Sequence, residues 1–444
     1  MKDLRAGLFV AQPASAPALN EKDTSMKRSI GLRTAQVLAM STVVVALTAL
    51  TACSSDDDSS DNSTASSAQA PSDAFPGKAA SGDPVKIGFI SAEGGSAISQ
   101  PETREAAEAV TKYANENFAG IGGRPIELVS CKQQEEPVSA RDCANQMVEQ
   151  KVSAVVVPVA GLGNIIAPII VDAGIPYVVA QGSSVPELTS PGAYSLTASS
   201  NSTQAMAAYA AENGIKKVTA YSIDVPAAIG ALQAVGQPAF QANGTDLKIV
   251  PIPLGTPDAT PQVSAGLEND PEAVIVFGDS TVCTSVIKAL TTLASTAEKW
   301  TAISCAAPEV VDAVGSGLDN TKIFSSADTV SDNSEAVLYR DVMKKYSPKT
   351  PTESNAVVGY QAMLGLVRAT QAVAGTDTSP AAINTAIKTA TDVVTPAGNG
   401  LTFTCNGQAI AGYQSVCSNG LIILTMKDGK QTDPQNVFIK APNS

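Results

Sequence analysis

From Val85 onward the chain alternates short apolar runs with amphipathic stretches, and it does so twice. Residues 85–90, 124–129, 154–159 and 176–180 read as strands, while 104–117, 140–150 and 165–173 follow helical spacing. The run Ala154-Val155-Val156-Val157-Pro158-Val159 is apolar on both faces, which suits a parallel sheet covered by helices. The pattern then restarts, with strands at 217–222, 247–252, 273–277 and 300–304 and helices at 204–213, 227–241, 261–269 and 282–293. A strand at 323–326 precedes long helical stretches at 335–345, 354–373 and 380–388. In the tail, 401–404 and 421–426, followed by Lys427-Asp428-Gly429-Lys430, read as an antiparallel strand pair or hairpin. The fold class is therefore α/β, with two doubly wound, Rossmann-like lobes.

Composition removes several function classes. The 444 residues carry 29 basic and 42 acidic side chains, a net charge of −13, which opposes binding to a phosphate backbone. Histidine is absent, so the usual general base, the Ser-His-Asp and Cys-His arrangements and any His-ligated metal are excluded. No G-x-S-x-G elbow or metal-ligand spacing replaces them. The sequence points to no enzyme, no metal and no cofactor.

The N-terminal region reads as an address. Met26-Lys27-Arg28 and Arg33 precede an apolar run, residues 37–52, that ends in Leu50-Thr51-Ala52-Cys53. A basic start, a short apolar stretch and small residues before a cut describe a secretory signal. The run is too short for an ordinary membrane span. Cys53 directly after Leu-Thr-Ala resembles the bacterial lipobox, in which that cysteine is diacylated. Residues 1–52 are thus expected to be a signal region with its true start at Met26, and 53–83, rich in Ser, Asp and Ala, a lipid-anchored disordered tether. Removing residues 1–52 takes away six basic and three acidic residues and leaves −16. Lipid, rather than charge, would then hold the protein at the outer face of the cell membrane.

Six further cysteines allow fifteen pairings. Short spacings favour the sequential one, Cys131–Cys143, Cys283–Cys305 and Cys405–Cys417. The rival, a metal cluster, lacks any CxxC spacing.

Two α/β lobes should meet where the carboxyl ends of their strands face one another, and a ligand should sit there. Within this frame Asn115-Glu116-Asn117-Phe118-Ala119-Gly120-Ile121-Gly122-Gly123-Arg124-Pro125-Ile126-Glu127-Leu128-Val129 closely resembles a signature of the branched-chain amino-acid-binding (Leu/Ile/Val receptor) family of type I periplasmic solute-binding proteins. Ala154-Val155-Val156-Val157-Pro158, Ala173-Gly174-Ile175-Pro176, Pro186-Glu187-Leu188-Thr189 and Gly359-Tyr360-Gln361-Ala362 extend the resemblance in order from about Val85 to Gly429. It implies a lipoprotein that captures a small solute (an amino acid, an amide or a small carboxylate) between closing lobes and delivers it to an ABC importer. The alternative is a sensing or scaffolding receptor of the same fold without transport. It also implies lobe 1 from 84–201 plus 328–398 and lobe 2 from 202–327 plus 399–444, with chain crossings near 199–204, 324–328 and 397–402.

The resemblance places a carboxylate clamp in the first lobe, on Gly161, Leu162 and Gly163 after the third strand and Gly182, Ser183 and Ser184 after the fourth. Glycines permit close approach of backbone N–H groups, and serine hydroxyls beside free amides suit a carboxylate or carbonyl. The plainer reading of Gly161 and Gly163 is a turn into a helix. Glu93, Gly95 and Ser96, after the first strand, belong to the same mouth; Glu93 either meets a ligand group or is a solvated loop charge. In the second lobe the expected contacts are Asp224, Asp279, Ser280 and Ala306. Here the sequence departs from its amino-acid-binding relatives: it lacks their aromatic at Asp279 or Ser280 and their ammonium-binding carboxylate near Ala306, with Glu309 about three residues too late. Asp279 and Ser280 also suit plain helix capping.

Overall fold

The computed structural model describes residues 74–95, 99–373 and 377–439. Cys53 and the signal and tether expectations lie outside these residues, as does Ser96. Among the described residues no helix is long and apolar enough to cross a membrane.

The first lobe is built from β1 (Val85–Ala92), α1 (Pro101–Asn117), β2 (Ile126–Gln133), α2 (Pro137–Glu149), β3 (Ala154–Val157), α3 (Gly163–Asp172), β4 (Tyr177–Val179), α4 (Val185–Thr189) and β5 (Ala193–Ser195). All neighbouring strands are parallel, in the order β2-β1-β3-β4-β5. β3 and β4 are buried along their whole length, as runs apolar on both faces require.

The second lobe repeats the order with α5 (Ser202–Glu212), β6 (Lys217–Ile223), α6 (Pro226–Ala231), α7 (Gln237–Ala242), β7 (Asp246–Ile252), α8 (Thr260–Leu267), β8 (Ala273–Phe277), α9 (Ser280–Thr292), β9 (Glu298–Ala302), α10 (Pro308–Val314) and β10 (Lys322–Ser325). Its parallel strands run β7-β6-β8-β9-β10. Each lobe therefore has a topological switch point, between β1 and β3 and between β6 and β8. The single helix expected at 227–241 is instead two, joined by a π-helical turn at Leu232–Gly236. Pro238 supplies the reason, since it has no N–H to continue an α-helical ladder.

The chain then returns to the first lobe with α11 (Ser334–Tyr346), α12 (Ala356–Ala369) and α13 (Pro380–Thr389), which share a hydrophobic cluster with α1 and the first sheet. Gly359 sits so close to the backbone of Thr103 that a Cβ there would overlap the Thr103 carbonyl. That contact fixes α12 against α1. A two-stranded sheet, β11 (Val393–Val394) and β12 (Thr402–Phe403), precedes β13 (Gly420–Lys427) and β14 (Lys430–Phe438), which close the edge of the second sheet antiparallel. The tail expectation is corrected here. Of residues 401–404, Thr402 and Phe403 pair with Val394 and Val393, and the hairpin runs between β13 and β14. Asp428 and Gly429 both have positive φ, the geometry that a two-residue hairpin turn needs.

The three sequential disulfides are present, Cys131–Cys143, Cys283–Cys305 and Cys405–Cys417. The first ties β2 to α2. The second ties the first turn of α9 to the 3-10 turn Ile303–Ala306.

Candidate functional site

The loops beyond the carboxyl ends of the parallel strands hold nearly all the residues singled out in the sequence. In the first lobe Glu93 follows β1, Gly161 and Leu162 follow β3, and Gly182, Ser183 and Ser184 follow β4; Gly163 opens α3.

Glu93 is buried and already paired. Its carboxylate accepts hydrogen bonds from Ser91 Oγ at 2.7 Å and Arg104 Nε at 2.7 Å, and lies 3.3 Å from Lys132 Nζ. Burial alone would raise its carboxyl, but the hydrogen bonds from Arg104, Ser91 and Lys132 and the Arg104 charge outweigh it and hold the group below its usual range. Glu93 thus braces β1, β2 and α1 together. Beside it Gly94 N–H donates to Ser99 Oγ, and Gly95 is half-buried.

The serine loop is organised by a residue to which sequence reading gave no role. Glu187 is completely buried. One carboxylate oxygen accepts from Tyr177 Oη at 2.7 Å, and the other from Ser183 N–H at 3.0 Å, Ser184 N–H at 2.9 Å and Ser184 Oγ at 2.8 Å. Ser183 Oγ donates to the Ala160 carbonyl at 3.1 Å, which joins this loop to the one after β3. The Tyr177 hydroxyl is pushed well above its usual range by burial and by the neighbouring Glu187 charge. The signal was legible: Ser184-Val185-Pro186-Glu187 has the S-x-x-E spacing of a capping box, and Ser184 is the N-cap of α4. At the β3 loop, Gly161 N–H donates to Glu135 at 3.1 Å, and the Glu135 carboxylate also accepts from Gln133.

In the second lobe Asp224 follows β6 and is exposed; its backbone N–H donates to the Ile252 carbonyl. Asp279 caps α9, accepting from Val282 N–H at 2.9 Å. Ser280 Oγ donates to Glu309 at 2.6 Å, so Glu309, although late in the sequence, reaches this mouth from the first turn of α10. Ala306 ends the adjacent 3-10 turn and is half-buried. The Cys283–Cys305 bridge joins the two segments that present these groups.

Where the chain passes between lobes, Gln361 on α12 is buried and ties two crossings together. Its amide donates to the Ser326 carbonyl at 2.8 Å and the Pro396 carbonyl at 3.0 Å, and accepts from Ser326 Oγ at 3.1 Å. Asp328 N–H donates to the Ala397 carbonyl at 2.7 Å beside it.

Among the described residues no group of three or more Cys, Asp or Glu is placed to hold a metal ion. The architecture is that of several solved receptors. A leucine-binding protein LivK from Thermotoga maritima superposes with a TM-score of 0.63 at 20% identity, over 80% of this chain and 98% of that one. The LivJ substrate-binding protein of Streptococcus pneumoniae, in complex with isoleucine, gives 0.62 at 18% identity, over 80% and 100%. A solute-binding protein from R. palustris, in complex with benzoate, gives 0.61 at 18%, over 80% and 96%. No curated protein sequence matches the chain. The profile of the periplasmic binding proteins matches residues 84–419, and the chain belongs to that family.

Proposed function

We propose that this protein is an extracytoplasmic lipoprotein, anchored through Cys53, that captures a small solute between two closing lobes and hands it to an ABC importer. The observation that carries the reading is the family match over residues 84–419 on two lobes that share one strand order. Solved relatives of this fold include proteins in complex with isoleucine and with benzoate, which supports an amino acid, an amide or a small carboxylate as the solute class. Lobe 1 then comprises 84–201 and 328–398, and lobe 2 comprises 202–327 and 399–444. Ligand contacts come from Gly161, Leu162, Gly163, Gly182, Ser183 and Ser184 on one side and Asp224, Asp279, Ser280 and Ala306 on the other, with Glu93, Gly95 and Ser96 at the rim. Glu93 acts there through Arg104 and Lys132, which already hold its charge.

The test is a thermal-shift panel of amino acids, amides and small carboxylates, followed by small-angle scattering with any binder. Ligand at a hundredfold excess over Kd should stabilise the protein by about 2.7 kcal/mol. The bound form should be more compact, as lobe closure requires. A binder that leaves the scattering unchanged overturns closure, and a panel without any binder overturns solute capture.

A further inference from the structure

We infer that residues 405–417 form a disulfide-closed strap across the lobe boundary, and that this strap sets the angle between the lobes. The inference rests on the reading above, in which the lobes close on a solute. It also refines the boundary drawn there, because the strap is counted with lobe 2 while its backbone is fastened to lobe 1.

The fastening is a row of directional bonds at the edge of the first sheet. β5 is the last strand of that sheet, and its Ser195 pairs with Val416. Ser195 N–H donates to the Ser415 carbonyl at 2.8 Å, and Cys417 N–H donates to the Ser195 carbonyl at 2.8 Å. At the end of α4, Ser415 N–H donates to the Leu188 carbonyl at 3.0 Å and Ser415 Oγ to the Ser190 carbonyl at 2.8 Å. The Cys405–Cys417 bridge closes the segment at its base, and glycines 407 and 412, both at positive φ, turn it back on itself.

The opposite side of the strap is apolar. Ile410 and Val416 are buried in one cluster with Ala205 and Met206 of α5, Trp300 of β9 and Phe324 of β10, and Ala409 and Tyr413 pack against it. That cluster is built mainly from α5 and the second sheet, which belong to lobe 2.

The two sides respond differently to rotation of the lobes. Hydrogen bonds are short and directional, so the strap moves with β5. Apolar contact has no preferred direction, so the second lobe can slide on the strap or lift from it, at the cost of exposing apolar surface. The strap also sits beside two crossings: Ser195 precedes the one near 199–204, and Ser418–Gly420 leads from the strap into β13. The lobe angle that keeps Ile410, Tyr413 and Val416 covered is thereby favoured. A solute that needs one angle meets it at the population the strap sets.

The test uses the full chain without solute. Dyes are attached through azide-bearing residues at two exposed positions, Asn145 on α2 and Lys288 on α9, which spares the disulfides. Time-resolved energy transfer then gives the distribution of inter-lobe distances. Ile410→Ala combined with Tyr413→Ala weakens only the apolar side. It should broaden the distribution and shift its mean, while the Ser195 amide stays as protected from hydrogen exchange as in wild type. Val310→Ala, in a separate cluster of the second lobe, controls for general loss of packing and should leave the distribution in place.

A wild-type distribution in the double variant, or equal broadening in Val310→Ala, would overturn the inference. So would loss of protection at Ser195, because the strap would then have no firm side. Should the double variant not fold, Tyr413→Ser alone, at a half-buried position, carries the same expectation. Failure here leaves solute capture standing, whereas an empty solute panel would remove solute capture and leave the strap result intact.

Discussion

Gly163 and Glu187 occupy each other's space. The glycine opens α3, and the carboxyl group of Glu187 fills the volume that a Cβ on residue 163 would take. The absence of a side chain at residue 163 is what lets the Glu187 carboxyl group pack against α3. Two loops that are separate in sequence are thus set in register by one buried carboxylate and four donors.

Gly163→Ala should consequently destabilise the protein even without ligand. Forcing one carbon against a packed, hydrogen-bonded carboxylate costs about 1–3 kcal/mol. Urea unfolding of the unliganded protein measures it. A midpoint equal to wild type would show that the two loops move apart freely.

Acid should weaken the Glu93 cluster. Its carboxyl is held below the usual range, so the folded state favours the ionised form. That stability is fully present above the ordinary glutamate value, about 4.3, and is lost as pH falls through the lower folded value. Glu93→Gln should therefore lose less stability than wild type between pH 6 and pH 3. Because the chain has no histidine, no imidazole titration bends the curve between pH 6 and 8. Parallel acid limbs for the two proteins would refute the pairing with Arg104 and Lys132.

Gln361→Leu should loosen the crossings. It removes the donor to the Ser326 and Pro396 carbonyls and strands two buried acceptors. The expected loss is about 1–3 kcal/mol for each group left unsatisfied. Hydrogen exchange at the Asp328 amide, which is bonded to the Ala397 carbonyl, should accelerate in the variant. Unchanged protection would mean that the crossings hold without Gln361.

The disulfide Cys283–Cys305 spans a sequence separation of 22. Replacing both cysteines by alanine should cost about 3 kcal/mol through a less constrained unfolded chain. If the bridge also positions the second lobe's mouth, the variant should bind a solute identified in the panel more weakly. Calorimetry reads this separately from the denaturation midpoint.

Much of the architecture was legible from the sequence because it depends on patterns local to the chain. Val155, Val156 and Val157 are apolar on both faces, which demands a covered parallel strand, and the structure buries all three. Asp428-Gly429 dictates a tight hairpin whatever surrounds it, yet which strands it joins was settled by the second sheet's open edge. The short cysteine spacings foretold the pairing. Pro238 is visible in the sequence, but its outcome, a π turn rather than a break, depended on how the flanking helices pack.

The position of the candidate loops in the fold was legible, and their hydrogen-bond partners were not. The strand order places the loops with Gly161, Ser183, Asp224 and Asp279 beyond the carboxyl ends of the strands, as the alternation alone implies. Which donors those loops leave free is a question of partners, and partners are set across the chain. Tyr177 lies ten residues before Glu187, Ser280 meets Glu309 across 29 residues, and Glu93 meets Lys132 from the neighbouring strand. Hydrogen bonds are directional and short, so a serine that looks like a donor in sequence becomes an acceptor once tertiary structure gives its single proton to another atom.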